Sequence, residues 1–327
     1  MKRQLVAMAL SFAAAAVLSC AASAQNSAQN FPSKPIRFLL PQAPGGVADI
    51  TARLVTQKMS ESLGQQIIID NRPSAGAIVA AEAAAKSAPD GYTLFLTGAG
   101  TAASVSLMKS LPYDLLRDFA QVSTMGFFDL VLLTSNDSKL NSVRDVIAYA
   151  KSNPGKLIIG SINIGSTQNL ASLMFKSMAG IDAQVVPYKA TPAMVTSVRG
   201  NEIHTGIEII APVLTQIKAG AIKALAVTSA ERVKALPNVP TIAESGVPGY
   251  QASSWNGVSV PAKTPRAIID RLNKAFAVAI NSPDVKQKLE ELGITPRAMS
   301  PDDTRKLMVS YVEKWRKVIE AAHIEKQ

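Results

Sequence analysis

Cysteine occurs once in 327 residues, at Cys20, and histidine twice, at His204 and His323. A cysteine-held structural zinc is thereby excluded, and two histidines so far apart lack the spacing of a catalytic zinc site. A disulfide framework is excluded too, and about 300 residues can bury a core large enough to do without one. Gly-x-Ser-x-Gly is absent, and no serine elbow accompanies His204, so a catalytic triad has no base and nucleophile to build on. The carboxylate pairs Glu290-Glu291 and Asp302-Asp303 stand on helical patterns or at their starts, where solvation or capping accounts for them. An exported hydrolase is a poor fit to such a composition, and no enzyme activity is expected. Aromatic residues are only 5% of the chain and its basic residues are dispersed, which argues against a nucleic-acid surface.

Long apolar runs are also scarce. The one at the N-terminus, Leu5 to Leu18, is shorter than the roughly 20 residues that span a bilayer. Lys2 and Arg3 precede it and Ala22-Ser23-Ala24 follows, so residues 1–24 read as a secretory signal cleaved before Gln25. A periplasmic location is the expectation. Leu18-Ser19-Cys20 allows the other reading, a lipobox with Cys20 as a lipidated first residue. The chain carries 34 Lys and Arg against 24 Asp and Glu, a net charge of +10 that falls to +8 once Lys2 and Arg3 leave. That surplus is compatible with anionic solutes, although charge alone does not select them.

From Ile36 onward strand-like and helix-like segments alternate, with no internal repeat. The strand candidates are Ile36–Leu40, Gln66–Asp70, Thr93–Thr97, Leu130–Thr134, Leu157–Ser161, Ala183–Val186, Ile203–Ile209 and Ala224–Thr228. Helical periodicity falls between them, and three proline-opened helices close the chain, at Pro265–Ile280, Pro283–Leu292 and Pro301–Ala322. Trp315 on the last reads as a packing residue. The alternation argues for α/β layers with mixed, mostly parallel sheets flanked by helices.

The most informative stretch is Leu39-Leu40-Pro41-Gln42-Ala43-Pro44-Gly45-Gly46-Val47-Ala48-Asp49. A buried strand, a turn with two glycines and a helix start make a place for an anion, because the first helical N–H groups lack partners and carry the positive end of the dipole. A plain βα turn with Asp49 as N-cap is the other reading. Gly98-Ala99-Gly100-Thr101-Ala102-Ala103-Ser104 follows a strand and fits the loose fingerprint Gly-x-Gly-x-x-Ala. No acidic residue stands where a ribose would need it, so no cofactor is expected and the segment reads as a polar cleft wall. Ser161-Ile162-Asn163-Ile164-Gly165-Ser166-Thr167 also links a strand to a helix, as an anion site or as a Ser/Thr cap.

Pro41-x-Ala43-Pro44-Gly45-Gly46-x-x-Asp49 resembles the opening motif of the Bug-type solute receptors of tripartite tricarboxylate transporters. The resemblance continues through Asp70-Asn71-Arg72-Pro73, Pro89-Asp90-Gly91-Tyr92-Thr93-Leu94, Leu111-Pro112-Tyr113-Asp114, Val186-Pro187-Tyr188-Lys189, Leu236-Pro237-Asn238-Val239-Pro240-Thr241 and Gly246-Val247-Pro248-Gly249-Tyr250, in order along nearly the whole mature chain. It implies the two-lobed periplasmic binding protein fold (type II), with a ligand cleft between lobes and two chain crossings, near Gln121–Thr134 and Tyr250–Pro261. Residues 31–132 and 253–327 would form lobe 1, and 133–252 lobe 2.

In that family the Pro-Gly-Gly loop and a Ser-x-Gly-x-Gly-Ser/Thr loop grip one carboxylate as pincers. The resemblance thus implies a site of Gln42, Gly45, Gly46, Val47, Ala48, Asp49, Gly98, Gly100, Thr101, Ser161, Asn163, Gly165, Ser166 and Thr167. Glu208 stands where a common aspartate faces the far end of the ligand; its alternative is pairing with a surface lysine. Gln42, Asn163, Gln168-Asn169, Val185 and Ala190 depart from the family's usual residues, so substrate identity does not carry over. The implied function is capture of a small organic acid, mono- or dicarboxylate or aromatic, by cleft closure in a monomer, and delivery to integral membrane transporter subunits. A sensor presenting its closed form to a signalling partner is the alternative.

Overall fold

The computed structural model describes residues 30–321 and 324–327. The signal segment, Cys20 and His323 lie outside the described residues. The chain opens with β1 (Ile36–Leu40), whose Phe38 and Leu40 enter one apolar core while Leu39 enters another on the opposite face. Burial on both faces explains why every position but one is apolar; the exception, Arg37, is exposed and pairs with Asp70. Helix α1 (Val47–Leu63) follows, then β2 (Ile67–Asn71), α2 (Ile78–Ala85) and β3 (Thr93–Gly98). Both β2 and β3 pair parallel with β1, giving the order β2-β1-β3.

The same arrangement recurs later. Strand β5 (Leu157–Ile162), α5 (Thr167–Met178), β6 (Ala183–Tyr188), α6 (Thr191–Arg199) and β7 (Thr205–Ile209) build the parallel order β6-β5-β7. Between the two units run α3 (Ala99–Leu107), β4 (Phe119–Thr134) and α4 (Val143–Ser152). After the second come α7 (Ile210–Lys218), β8 (Lys223–Val227), β9 (Ser253–Pro261), α8 (Arg266–Asn281), α9 (Pro283–Glu291), β10 (Ile294–Pro296) and α10 (Pro301–Ala321).

Strand β4 joins the halves. From Phe119 to Asp129 it pairs with β9, and from Leu130 onward with β7 and β8. Every pairing of β4 is antiparallel, as is β3 with β9, so the sheet is less parallel than the strand–helix alternation suggests. Only the last five residues of β4 were expected as strand. Its first part hides because Gln121, Ser123 and Thr124 are buried polar residues that break the apolar pattern. They are satisfied internally: Thr97 donates to Gln121 Oε1 (3.1 Å), Ser123 to Met299 O (3.2 Å) and Thr124 to Arg297 O (2.5 Å).

Packing follows the halves. In the first, α8 places Ile268, Ile269, Leu272 and Phe276 in a core with α1 and β4, while α10 places Met308, Trp315 and Ile319 against the other face. Trp315 is fully buried, so its packing role holds. In the second, Leu130 and Leu132 of β4 face one core, and Val131 and Leu133 the other. No helix among the described residues is long and apolar enough to cross a membrane.

Candidate functional site

The expected site residues fall at the C-terminal ends of four strands, β1, β3, β5 and β7, each continuing into a helix. In open α/β sheets the crevice outside the strand ends, where the chain turns to opposite sides of a central strand, is where ligands bind. Strands β1 and β5 are those central strands.

At β1, Gly45 adopts φ +81°, a left-handed conformation open to glycine at little cost, and Gly46 is the extended N-cap of α1. Asp49 is not the N-cap; it is the third helical residue and reaches back. Its Oδ2 accepts from the Gly45 N–H (3.0 Å) and Arg53 Nε (2.9 Å), and its Oδ1 from Asn71 Nδ2 (3.0 Å). Burial opposes ionisation of Asp49, but these donors outweigh it and hold the carboxyl below the usual range. Asp49 therefore shapes the loop. The N–H groups of Gly46, Val47 and Ala48 have no partner among the described residues.

The loop after β5 repeats the geometry. Gly165 has φ +80°, Ser166 is an extended N-cap, and Asn169, the third residue of α5, accepts the Gly165 N–H at 3.2 Å. Asn169 Nδ2 donates to Ser161 Oγ (3.1 Å), so the buried Ser161 braces this loop. Asn163 turns the backbone at φ +31° and donates its N–H to Tyr188 O (2.9 Å). Ser166 Oγ accepts from the Asn169 N–H (3.1 Å) and donates to Ile162 O, so its hydroxyl serves as a cap. Thr167 and Gln168 N–H are unpartnered among the described residues. The Thr167 hydroxyl is within 3.2 Å of Ser254 Oγ on β9.

At the end of β3, Gly98 to Ser104 is not a loop: α3 starts at Ala99. Gly98 is required by packing, because a Cβ there would lie 2.2 Å from Trp255 O of β9. Thr101 accepts the Gly98 N–H and donates to Gly98 O, both at 2.9 Å, while Gly100 faces open space. The C-terminal residue of α3, Leu107, meets the second half: a Cβ on Gly165 would lie 2.3 Å from Leu107 Cδ2.

At the end of β7, Glu208 is 1% exposed. It does not pair with a surface lysine. Its Oε1 accepts from Gln168 Nε2 and the Ile209 N–H, and its Oε2 from Thr191 Oγ1, each at 2.7 Å. Burial raises its pKa, and the three hydrogen bonds recover only part of that penalty. This carboxyl occupies the start of α7 itself.

Asn71 and Thr191 complete these arrangements without having been expected there, and Gln168-Asn169, read only as a departure from the family's usual residues, do so as well. The available signal was the spacing of an acceptor four residues after a glycine, Gly45 to Asp49 and Gly165 to Asn169. The Gln42 backbone carbonyl accepts from Asn71 Nδ2 (3.0 Å), while its buried Oε1 has no partner among the described residues. His204 is structural: Nδ1 accepts the Ile158 N–H (3.2 Å), and Nε2 lies 2.9 Å from the Tyr149 hydroxyl. Two surface concavities, about 660 Å³ beside Arg297 and Lys306 and about 430 Å³ beside Arg117 and Arg266, contain none of the expected site residues.

Two α/β halves joined by shared strands, with paired helix starts at their switch points, define the class of two-lobed solute-binding proteins. Comparison with known proteins narrows the class. Residues 51–324 match the tripartite tricarboxylate transporter family receptor, and the chain belongs to that family. It is 36% identical to protein BugT of Bordetella pertussis over 90% of each chain. Among solved structures it is similar to an R. palustris protein with adipate (34% identity, TM-score 0.83, covering 90% of this chain and 99% of that one). It is also similar to the periplasmic binding protein BugD (27%, TM-score 0.81, 91% and 100%) and to MatC from Rhodopseudomonas palustris with bound malate (29%, TM-score 0.79, 88% and 100%).

Proposed function

We propose that this protein is a periplasmic receptor that captures a small organic acid between its two halves and hands it to the membrane subunits of a tripartite transporter. The observation that carries the reading is the matched pair of helix starts, α1 and α5, each offering unpartnered N–H groups beyond a left-handed glycine. Such groups suit a carboxylate, since hydrogen bonds to an ionised acceptor are roughly twice as strong as neutral ones. Similarity to an adipate-bound and a malate-bound protein supports the same chemistry. In this reading residues 1–24 are removed on export, residues 31–132 with 253–327 form one lobe and 133–252 the other. The monomer closes by bending where β4 and β9 cross.

A thermal-shift panel of adipate, malate, succinate and benzoate tests it. An acid present at a hundred times its Kd stabilises the native state by about 2.7 kcal/mol, a rise of roughly 4–5 °C in melting temperature for a chain of this length. No shift with any of the four refutes the carboxylate reading.

A further inference from the structure

The two pincer loops share a backbone but differ in charge. In the first, the helix residue that holds the glycine N–H is Asp49, and Arg53, one turn on, neutralises it (Nε to Oδ2 2.9 Å). In the second it is Asn169, and the residue one turn on is Leu173. An acid is matched with a base, and an amide with an apolar residue. Within its own residues each loop keeps its acceptor for the glycine N–H and adds no net charge beside the free N–H groups; the Glu208 carboxyl, from β7, reaches the second loop only through the Gln168 side chain (2.7 Å), and burial disfavours its ionisation.

We infer that Asn169 is a positioning residue whose neutrality keeps the second pincer attractive to an anion. Its amide fixes Gly165 and Ser161, and through them the start of α5, and a carboxylate there would do the same mechanical work while repelling the solute. A carboxylate at 169 accepts the Gly165 N–H as Asp49 accepts that of Gly45, and the Ser161 hydroxyl can turn to donate to it. The structural contacts therefore survive Asn169→Asp and only the charge changes. This inference rests on the carboxylate-receptor reading.

The test measures Asn169→Asp, Asn169→Asp/Leu173→Arg and wild type by calorimetry at pH 7 against adipate, malate, succinate and benzoate. Asn169→Asp is expected to weaken each acid that binds wild type by about tenfold, the effect of one uncompensated like charge near the anion. The loss should shrink in 0.5 M sodium chloride, where the Debye length falls to roughly 4 Å. The double variant, which transplants the charge balance of the first loop, should recover most of the affinity. Wild type that binds none of the four acids overturns the carboxylate reading and this inference with it. Wild type that binds, with Asn169→Asp binding equally well, or with a loss that neither salt nor Leu173→Arg relieves, overturns this inference alone. If Asn169→Asp does not fold, Asp49→Asn decides: it leaves Arg53 uncompensated and should tighten acid binding several-fold, and equal or weaker binding overturns the inference.

Discussion

Glu208→Gln should make the protein more stable at neutral pH and change which acids it prefers. Glu208 lies 1% exposed, with no lysine or arginine paired to it among the described residues. The amide can satisfy the same partners. Its oxygen takes the two bonds from Gln168 and the Ile209 N–H, and its NH2 donates to the Thr191 hydroxyl, which turns to accept. What the substitution removes is the cost of burying a charge, about 1–3 kcal/mol for a carboxylate partly repaid by hydrogen bonds. The direction with pH follows from the raised pKa. The unfolded chain ionises this residue at about pH 4.3, and the folded one at higher pH. Stability from the neutral acid is fully present below the unfolded value and is lost as pH rises through the folded one. The melting-temperature gain of the variant should be near zero at pH 4 and grow with pH, at roughly 1.5–2 °C per kcal/mol for a chain of this length. Affinity supplies the second readout. At pH values above its raised folded pKa Glu208 is ionised and disfavours a second ligand carboxylate, so in that range the variant should gain succinate affinity relative to malate. A pH-independent stability difference together with an unchanged succinate-to-malate ratio would refute the reasoning.

Ser166→Ala should lower stability by about 1 kcal/mol, the usual loss of a helix cap, while calorimetry shows acid affinity within about twofold, because the hydroxyl is engaged with Ile162 O and the Asn169 N–H. Gly98→Ala should cost about 3 kcal/mol or more in urea unfolding, since the new Cβ would meet the Trp255 carbonyl, a backbone atom that cannot turn aside. Intact-mass measurement of the exported protein should give Gln25 as the first residue; a lipid adduct on Cys20 contradicts this. Saturation with a bound acid should reduce the radius of gyration in small-angle scattering, as closure of the halves on one solute requires.

The parts of this fold that were legible in sequence are those where one physical rule acts alone. Ile36–Leu40 was visible because four of its five positions are buried and apolar, Arg37 alone being exposed, and α8 because its apolar residues recur at helical spacing. Strand β9 was missed because Ser253, Ser254, Asn256, Gly257 and Ser259 are small or polar residues in a buried strand. Helix α3 was missed because Gly98 and Gly100 read as punctuation, whereas the first is set by the approach of Trp255 and only the second is open to solvent. In the site, the glycine turns stood out where strand periodicity gives way to helical periodicity. The partners of Glu208 did not, since Gln168 and Thr191 come from α5 and α6 and meet it only after β5, β6 and β7 align.

The two halves show why a structural repeat can be silent in sequence. Their central strands, IRFLL and LIIGSI, need only be apolar enough to be covered on both faces, so many residues serve. The turn after each strand is stricter. A φ near +80° favours glycine, and the glycine N–H, turned back toward the helix, needs an oxygen on the third helical residue. Aspartate and asparagine both supply it, so even that position is free to vary in charge. Two residues in each loop are therefore constrained, four positions apart, and a pattern that short does not register as a repeat along about 290 residues. The variation it permits lies at the helix start, where one charge more or less changes what an anion meets.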